Sequence, residues 1–308
     1  MSEYTTLPET CKNVILSVNP KAGRRSSANR VERLKAALEK EGLTVEVQTD
    51  LNVVAQRANE LFEKNQLRAL IGIGGDGTAA ELTNRTIPGV PIALLPSGTA
   101  NILAKHLHYS FKPEKFAKMI AAGRILRADA ARANGRLFLA MVGCGFDAAV
   151  VEKVHSARMS NPKGAHINYF SYLRPIWNVI CRYRYPLLRT EFLDDSGQPA
   201  GEYYDRQWVF IANVPRYGWG IPMAPKAVFD DGFLDTCLWR GKTLFGGSLL
   251  TILAQLGGLH VHSSRCISRR GKKFRITITP DQNAASVPYQ LDGDPGGELP
   301  VEDFHLDR

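Results

Sequence analysis

An α/β amino-terminal domain on a parallel sheet, followed by a β-rich antiparallel carboxy-terminal domain, is the architecture the sequence predicts. Three observations carry it. Residues 1–125 alternate short apolar β runs with helix-period segments, and three of those runs end in glycine- or hydroxyl-rich loops. Beyond about Arg127 the pattern changes to short strands parted by Gly, Pro and Asp clusters. At 308 residues the chain has room for two domains, taking roughly 150 residues for each.

The elements follow in order. VILSVN (14–19) is an apolar strand, and Ser26 or Ser27 can cap a helix with Val31, Leu34 and Leu38 on one face. TVEVQT (44–49) alternates as a strand, after which Asp50 or Asn52 opens a helix bearing Val54, Leu61 and Phe62. ALIGIGG (69–75) runs into glycines ahead of a helical stretch, Ala79–Arg85, and VPIALLP (90–96) is the fourth strand. Strands separated by helices predict parallel βαβ units, whose ligands sit at the carboxyl ends of the strands. In the second half, Asn134-Gly135 between apolar runs signals a type I′ hairpin. Strands are expected at Tyr204–Ala212, Leu234–Trp239, Ser263–Ile267 and Phe274–Thr279, and helices near 146–157, 165–183 and 243–257. The domains read as 1–127 and 128–294, with a tail, 295–308, expected to pack back on the first.

Composition narrows the classes. With 44% hydrophobic and 22% charged residues the chain is neither disordered nor starved of core. The start lacks a basic segment followed by an apolar stretch, so no secretory signal is read. Five cysteines without a CxxC pair argue against zinc sites and a disulfide framework, and a reduced, cytoplasmic setting is expected. The uncharged run Thr243–Ser264 is long enough for a bilayer. Gly246, Gly247, Gly257, Gly258, Gln255, His260 and His262 interrupt it, and Phe245, Leu249, Ile252, Leu253 and Leu256 recur at helical steps. A core or interface helix in a soluble protein is the expectation.

Net charge is +9, with a pI near 9.3. Lys153, Arg158, Lys163, Arg174, Arg182, Arg184 and Arg189 are interleaved with Tyr169, Phe170, Tyr172, Trp177, Tyr183 and Tyr185, and Arg265, Arg269, Arg270, Lys272, Lys273 and Arg275 form a second cluster. Such patches attract anionic lipid, phosphorylated substrates or nucleic acid, or are solvated faces. No helix-turn-helix, zinc-finger or RNA-binding signature is present, so nucleic acid is not the expected partner.

Gly74-Gly75-Asp76-Gly77-Thr78 joins a strand to a helix. Where no Cβ intervenes, backbone can approach a phosphate, and N–H groups at a helix start attract it. Asp76 would repel phosphate unless a cation bridges them, which implies Mg²⁺; a plain strand-ending turn is the other reading. Asn19-Pro20-Lys21-Ala22-Gly23-Arg24-Arg25 ends the first strand, and Pro96-Ser97-Gly98-Thr99-Ala100-Asn101 the fourth. Three such loops at the carboxyl ends of one parallel sheet point to a nucleotide triphosphate site.

NPKAG, GGDGT with Glu81 beyond it, and PSGTAN together resemble the diacylglycerol kinase catalytic-domain superfamily, which includes bacterial lipid kinases, sphingosine kinases and ceramide kinases. The resemblance continues through Asp129…Asn134-Gly135-Arg136-Phe138, Gly143-Cys144-Gly145-Phe146-Asp147 and Asp230-Asp231-Gly232-Phe233-Leu234-Asp235 to Leu291-Asp292-Gly293-Asp294. It implies a phosphofructokinase- and NAD-kinase-like first domain. It also implies ATP held by Asn19, Lys21, Thr49, Gly74, Gly75, Asp76, Gly77, Thr78, Glu81, Gly98, Thr99 and Asn101. The family's Asn two residues past the GGDGT threonine is Ala80 here, and Asp294 stands where its general base is commonly Glu. Asp231 with the backbone oxygens of Val228 and Phe233 matches a structural Mg²⁺ site of bacterial lipid kinases.

The expected activity is ATP-dependent transfer of a phosphoryl group to a lipid hydroxyl such as that of diacylglycerol, with Asp76 and Asp294 as catalytic carboxylates and Mg²⁺ as cofactor. A peripheral contact with anionic membrane is expected; a homodimer is left open. A non-catalytic nucleotide-binding relative and a soluble-substrate kinase such as an NAD kinase are the alternatives.

Overall fold

The computed structural model describes residues 4–18, 25–98, 100–159, 183–280 and 286–307. The chain divides into two compact units between Ala128 and Asp129.

The first unit contains β1 (Tyr4–Thr6), β2 (Asn13–Val18), α1 (Arg25–Lys40), β3 (Thr44–Gln48), α2 (Leu51–Glu63) and β4 (Leu67–Gly74). There follow α3 (Asp76–Arg85), β5 (Ile92–Pro96), α4 (Ile102–His106), α5 (Pro113–Ala121) and β6 (Arg124–Leu126). The central sheet runs β3-β2-β4-β5, wholly parallel, and β1 pairs with β6 separately. Alternation along β2 explains the layers. Val14 and Leu16 meet Leu34 and Leu38 of α1 and Phe116 of α5, whereas Ile15 meets Val54 and Leu61 of α2 and Leu82 of α3. A sheet covered on both faces needs near-continuous apolar strands, as β4 shows by burying seven residues in succession. Asp50 caps α2, accepting from the Asn52 and Val53 N–H groups at 2.8 and 3.1 Å.

The second unit begins with β7 (Ala130–Ala133), β8 (Arg136–Phe138), β9 (Met141–Cys144), α6 (Phe146–Met159), β10 (Leu188–Leu193), β11 (Pro199–Arg206) and β12 (Trp208–Ala212). It continues with β13 (Leu234–Trp239), α7 (Leu244–Gln255), β14 (Cys266–Ile267), β15 (Arg270–Gly271), β16 (Lys273–Ile278), β17 (Pro288–Leu291), β18 (Asp294–Glu298) and β19 (Val301–Asp307). Two antiparallel sheets, β11-β10-β16-β19-β7-β8 and β14-β13-β12-β9-β17-β18 with β15 on β13, enclose a core that includes Phe138, Val142, Val209, Leu238, Phe274 and Phe304. The outer face of the second sheet is also covered: Phe210, Cys237 and Trp239 pack with Leu250 of α7. Two indoles seat that helix, Trp239 Nε1–H donating to the Gly246 carbonyl and Trp208 Nε1–H to that of Gly241, each at 2.9 Å. Among the described residues no helix is long and apolar enough to cross a membrane.

Three expectations change. The single strand expected at Tyr204–Ala212 bends at buried Gln207, and its halves enter different sheets as β11 and β12. Of Ser263–Ile267 only Cys266–Ile267 pairs as a strand. The tail 295–308, expected to pack back on the first domain, is part of the second unit. β18 pairs with β17, and β19 lies between β16 and β7, with Val301 and Phe304 buried in the sandwich. The acidic residues of this tail conceal an inward apolar set that the sandwich needs. Most of the helix expected at 165–183 lies outside the described residues.

The β17–β18 turn is fixed from outside. Asp292 and Gly293 both have positive φ, 51° and 88°, and the Asp292 carboxylate accepts from the N–H groups of Leu139, Ala140 and Met141 at 2.8–2.9 Å. Asp292→Ala leaves three N–H groups without their acceptor and is expected to lower stability by about 3 kcal/mol. The measurement is a fall in the urea midpoint at unchanged slope.

Candidate functional site

The loops that leave β4 and β5 form one layer. The Ser97 N–H donates to the Gly74 carbonyl at 2.9 Å. A Cβ on Gly98 would stand 2.7 Å from the Gly75 Cα, so the two backbones touch where any side chain would part them. A Cβ on Gly74 would stand 2.0 Å from the Thr78 hydroxyl. α3 starts directly behind, at Asp76. The result is a surface of backbone at the carboxyl edge of adjacent parallel strands, backed by a helix N-terminus, where an anion is favoured.

Asp76 has a different task from the metal-bridging one read off the sequence. Its Oδ2 accepts the Ile102 N–H and its Oδ1 the Leu103 N–H, both at 2.9 Å. A side chain in the first turn of α3 thus caps α4, and only 6% of the residue is exposed. Burial raises its pKa, and the Ile102 and Leu103 N–H groups oppose that rise. Asn101 completes the lacing. It adopts the left-handed region at φ 49°, accepts the Gly98 N–H at 2.9 Å and donates to the Gly98 carbonyl at 2.7 Å. Both side chains hold the loops in shape, and each carboxylate oxygen of Asp76 is engaged by one of these amides.

The other expected residues separate. Gly77 and Thr78 lie half-buried in the first turn of α3. Glu81 is ion-paired with Arg85 at 2.6 Å. Ala80 is buried. Thr49 is exposed at the carboxyl end of β3, and Asn19, Lys21 and Thr99 lie outside the described residues. Sequence reasoning missed Arg30. From α1 it donates to the carbonyls of Pro96 at 3.1 Å and Phe111 at 3.2 Å, which puts a cation at the end of β5. Nothing in the helical spacing marks it, because the partner carbonyls belong to other elements.

In the second unit Asp147 stands in the first turn of α6, after β9. Its Oδ2 accepts from the Tyr217 hydroxyl and from Gln290 Nε2, both at 3.1 Å. Gln290 in turn accepts the Gly293 N–H at 2.7 Å, which links Asp147 to the turn that carries Asp294. Burial pushes Asp147 up to about 6, against those two hydrogen bonds. The residue keeps some exposed surface while its carboxylate is enclosed by protein. Sequence reading quoted its GCGFD motif and assigned the aspartate no task; the signal was an acid directly behind glycines at a strand end. Asp294 is the half-buried first residue of β18, opposite Leu291.

The proposed Mg²⁺ site at Asp231, Val228 and Phe233 does not fit a cation. One Asp231 oxygen accepts the Phe233 N–H at 3.1 Å, and the other is ion-paired with Arg270. Arg270 and Lys272 also lie over the Phe233 ring, 4.8 and 5.4 Å from its centroid. An arginine already neutralises the carboxylate, and two cations crowd the position, so no step runs through a metal here.

Two outcomes follow. Asp76→Ala orphans two N–H groups and is expected to cost about 3 kcal/mol, read as a fall in the urea midpoint. For Asp147 the folded value, about 6, lies above the ordinary 3.8. The protonated form is therefore favoured by folding, and the cost of the charge is absent below 3.8, grows through that interval and is complete above 6. Asp147→Asn is expected to raise stability at pH 8 by on the order of 2 kcal/mol and to change little at pH 4, as read by urea unfolding at each pH.

Comparison with known proteins agrees with this architecture. Residues 13–133 match the model of the diacylglycerol kinase catalytic domain, and residues 140–305 that of the YegS C-terminal NAD kinase beta sandwich-like domain. The chain is 26% identical to the "probable lipid kinase YegS" of Salmonella heidelberg (strain SL476), with 82% of this chain and 79% of that protein covered. It is 24% identical to diacylglycerol kinase zeta of Rattus norvegicus, over 92% of this chain and 33% of that enzyme, so it spans about a third of the rat protein's length. A crystal structure of a candidate diacylglycerol kinase from Bacillus anthracis str. Sterne shares the fold, with a TM-score of 0.71 at 21% identity over 98% of this chain and 94% of that one. Matched in order by both models, the chain belongs to the diacylglycerol kinase and YegS lipid-kinase family.

Proposed function

We propose that this protein transfers the γ-phosphoryl group of ATP to a hydroxyl of a membrane lipid such as diacylglycerol. The observation that carries the reading is the approach of Gly75 to Gly98, which leaves a bare backbone surface at the carboxyl ends of β4 and β5. Phosphoryl transfer asks the protein mainly for position and charge. In the first unit, N–H groups at the start of α3 and the cations Arg30 and Lys21 would hold the triphosphate. In the second, Asp294 accepts the proton of the lipid hydroxyl. Asp147, linked through Gln290 and the Gly293 N–H to the turn before it, positions that carboxylate.

An amphiphilic acceptor is supported by α7. Its inner side buries Leu250 and Ala254, while Phe245, Ile252 and Leu256 are 76%, 56% and 61% exposed, with Leu259 beyond at 50%. Arg240, Lys242 and Arg265 flank this apolar face in sequence. Apolar side chains beside cations suit a peripheral seat on an anionic bilayer, at the cytoplasmic surface where ATP is available.

Labelled ATP incubated with lipid-extract vesicles is expected to yield a labelled lipid, with turnover falling as salt is raised. Asp294→Ala is expected to reduce turnover by about 10²-fold or more. ATP-dependent stabilisation without any product favours a non-catalytic relative. Phosphorylation of NAD and of no lipid favours a soluble-substrate kinase.

A further inference from the structure

Beneath the end of α7, the second unit brings together three side chains with no part in the chemistry above. Cys237 lies on β13, on the outer face of its sheet beside Trp239. Cys266 on β14 stands directly opposite Trp239, so the two cysteines are diagonal neighbours on one face, with their sulfurs 3.8 Å apart. His260 lies in the 3₁₀ turn Leu259–His262 and is fully buried. One nitrogen of its ring, Nε2, is 2.9 Å from the Met223 carbonyl. A carbonyl only accepts, so Nε2 carries the hydrogen and Nδ1 presents its lone pair. That Nδ1 is buried and has no hydrogen-bond partner among the described residues. The two sulfurs and an imidazole nitrogen all lie within 4.8 Å of one another.

We propose that Cys237, His260 and Cys266 bind one thiophilic metal ion, Zn²⁺ in its commonest form. Four features fit. Two thiolates at about 2.3 Å from a tetrahedral ion stand about 3.8 Å apart, which is the separation found here. A histidine that ligates a metal ordinarily donates its other N–H to a carbonyl or carboxylate, as His260 does to Met223. The orphaned Nδ1 otherwise bears an uncompensated desolvation cost. Arg206, whose buried Nε is without a hydrogen-bond partner among the described residues, interacts electrostatically with Cys266 and brings positive charge to the sulfur pair, as thiolate ligands require.

Binding forms two metal–sulfur bonds and one metal–nitrogen bond and releases both thiol protons to solvent. Cys266 is the partly exposed member, and the fourth position goes to water. The ion would fasten the chain that follows α7 to strands β13 and β14, and so fix the helix whose outer side is apolar. The ligands are too far apart in sequence to form a CxxC pair, which is why the cysteine pattern argued against zinc.

The test uses the full chain, reduced and freed of metal, then dialysed against Zn²⁺ or Co²⁺. One tightly held ion per chain is expected by elemental analysis, with thiolate-to-cobalt charge-transfer bands and intense tetrahedral d–d absorption for Co²⁺. A rise in the unfolding temperature of about 2 °C or more should accompany it. Cys266→Ser, a conservative change on a two-residue edge strand, and His260→Gln should each abolish the charge-transfer spectrum or weaken zinc retention at least tenfold. Cys11→Ser in the first unit should leave both intact. Weak octahedral cobalt spectra, or zinc uptake unchanged in Cys266→Ser, overturn the proposal. So does a Cys237–Cys266 disulfide in the purified protein with no metal uptake after reduction.

Discussion

The first unit depends on a carboxylate placed where its burial is costly and its hydrogen bonds recover the cost. Asp76 begins one helix and satisfies the exposed amide ends of another, so α3 and α4 share a single anchor. The anchor holds β4 and β5 loops close enough for Gly75 and Gly98 to meet backbone to backbone. Without the cap, the N-terminus of a five-residue helix would have little to hold it, since so short a segment cannot sustain itself. The shape of the proposed phosphate cradle is thus a consequence of one buried acid.

The second unit uses acids differently. Asp292 is spent on three amides and fixes the hairpin. Among the described residues Asp147 receives two neutral donors, and they fall short of offsetting its desolvation, which raises its pKa. An incompletely compensated carboxylate suits the positioning role proposed for Asp147, since a purely structural position would be better served by an amide.

Local patterns were legible where local physics decides. The four parallel strands, the Asp50 cap and the Asn134-Gly135 turn, whose φ values are 48° and 80°, follow from periodicity and turn chemistry. The glycine loops were legible as loops. Long-range partnership was not. Asp76 looked like a metal ligand because nothing near it in sequence announces the amides of Ile102 and Leu103. Asp231 matched a Mg²⁺ ligand because its partner Arg270 is distant along the chain. Gln207 reads as one residue of a continuous strand and is the corner between two sheets. The tail reads as acidic because its core residues, Val301 and Phe304, are outnumbered by charges.

The indole bonds beneath α7 make this helix optically visible. Trp208 and Trp239 are each clamped to a carbonyl on the segment that starts the helix, and both rings are shielded from water. Lifting the helix would expose both rings and free their N–H groups, and their emission would move to longer wavelength. The protein carries its own fluorescent gauge of whether that apolar element is seated.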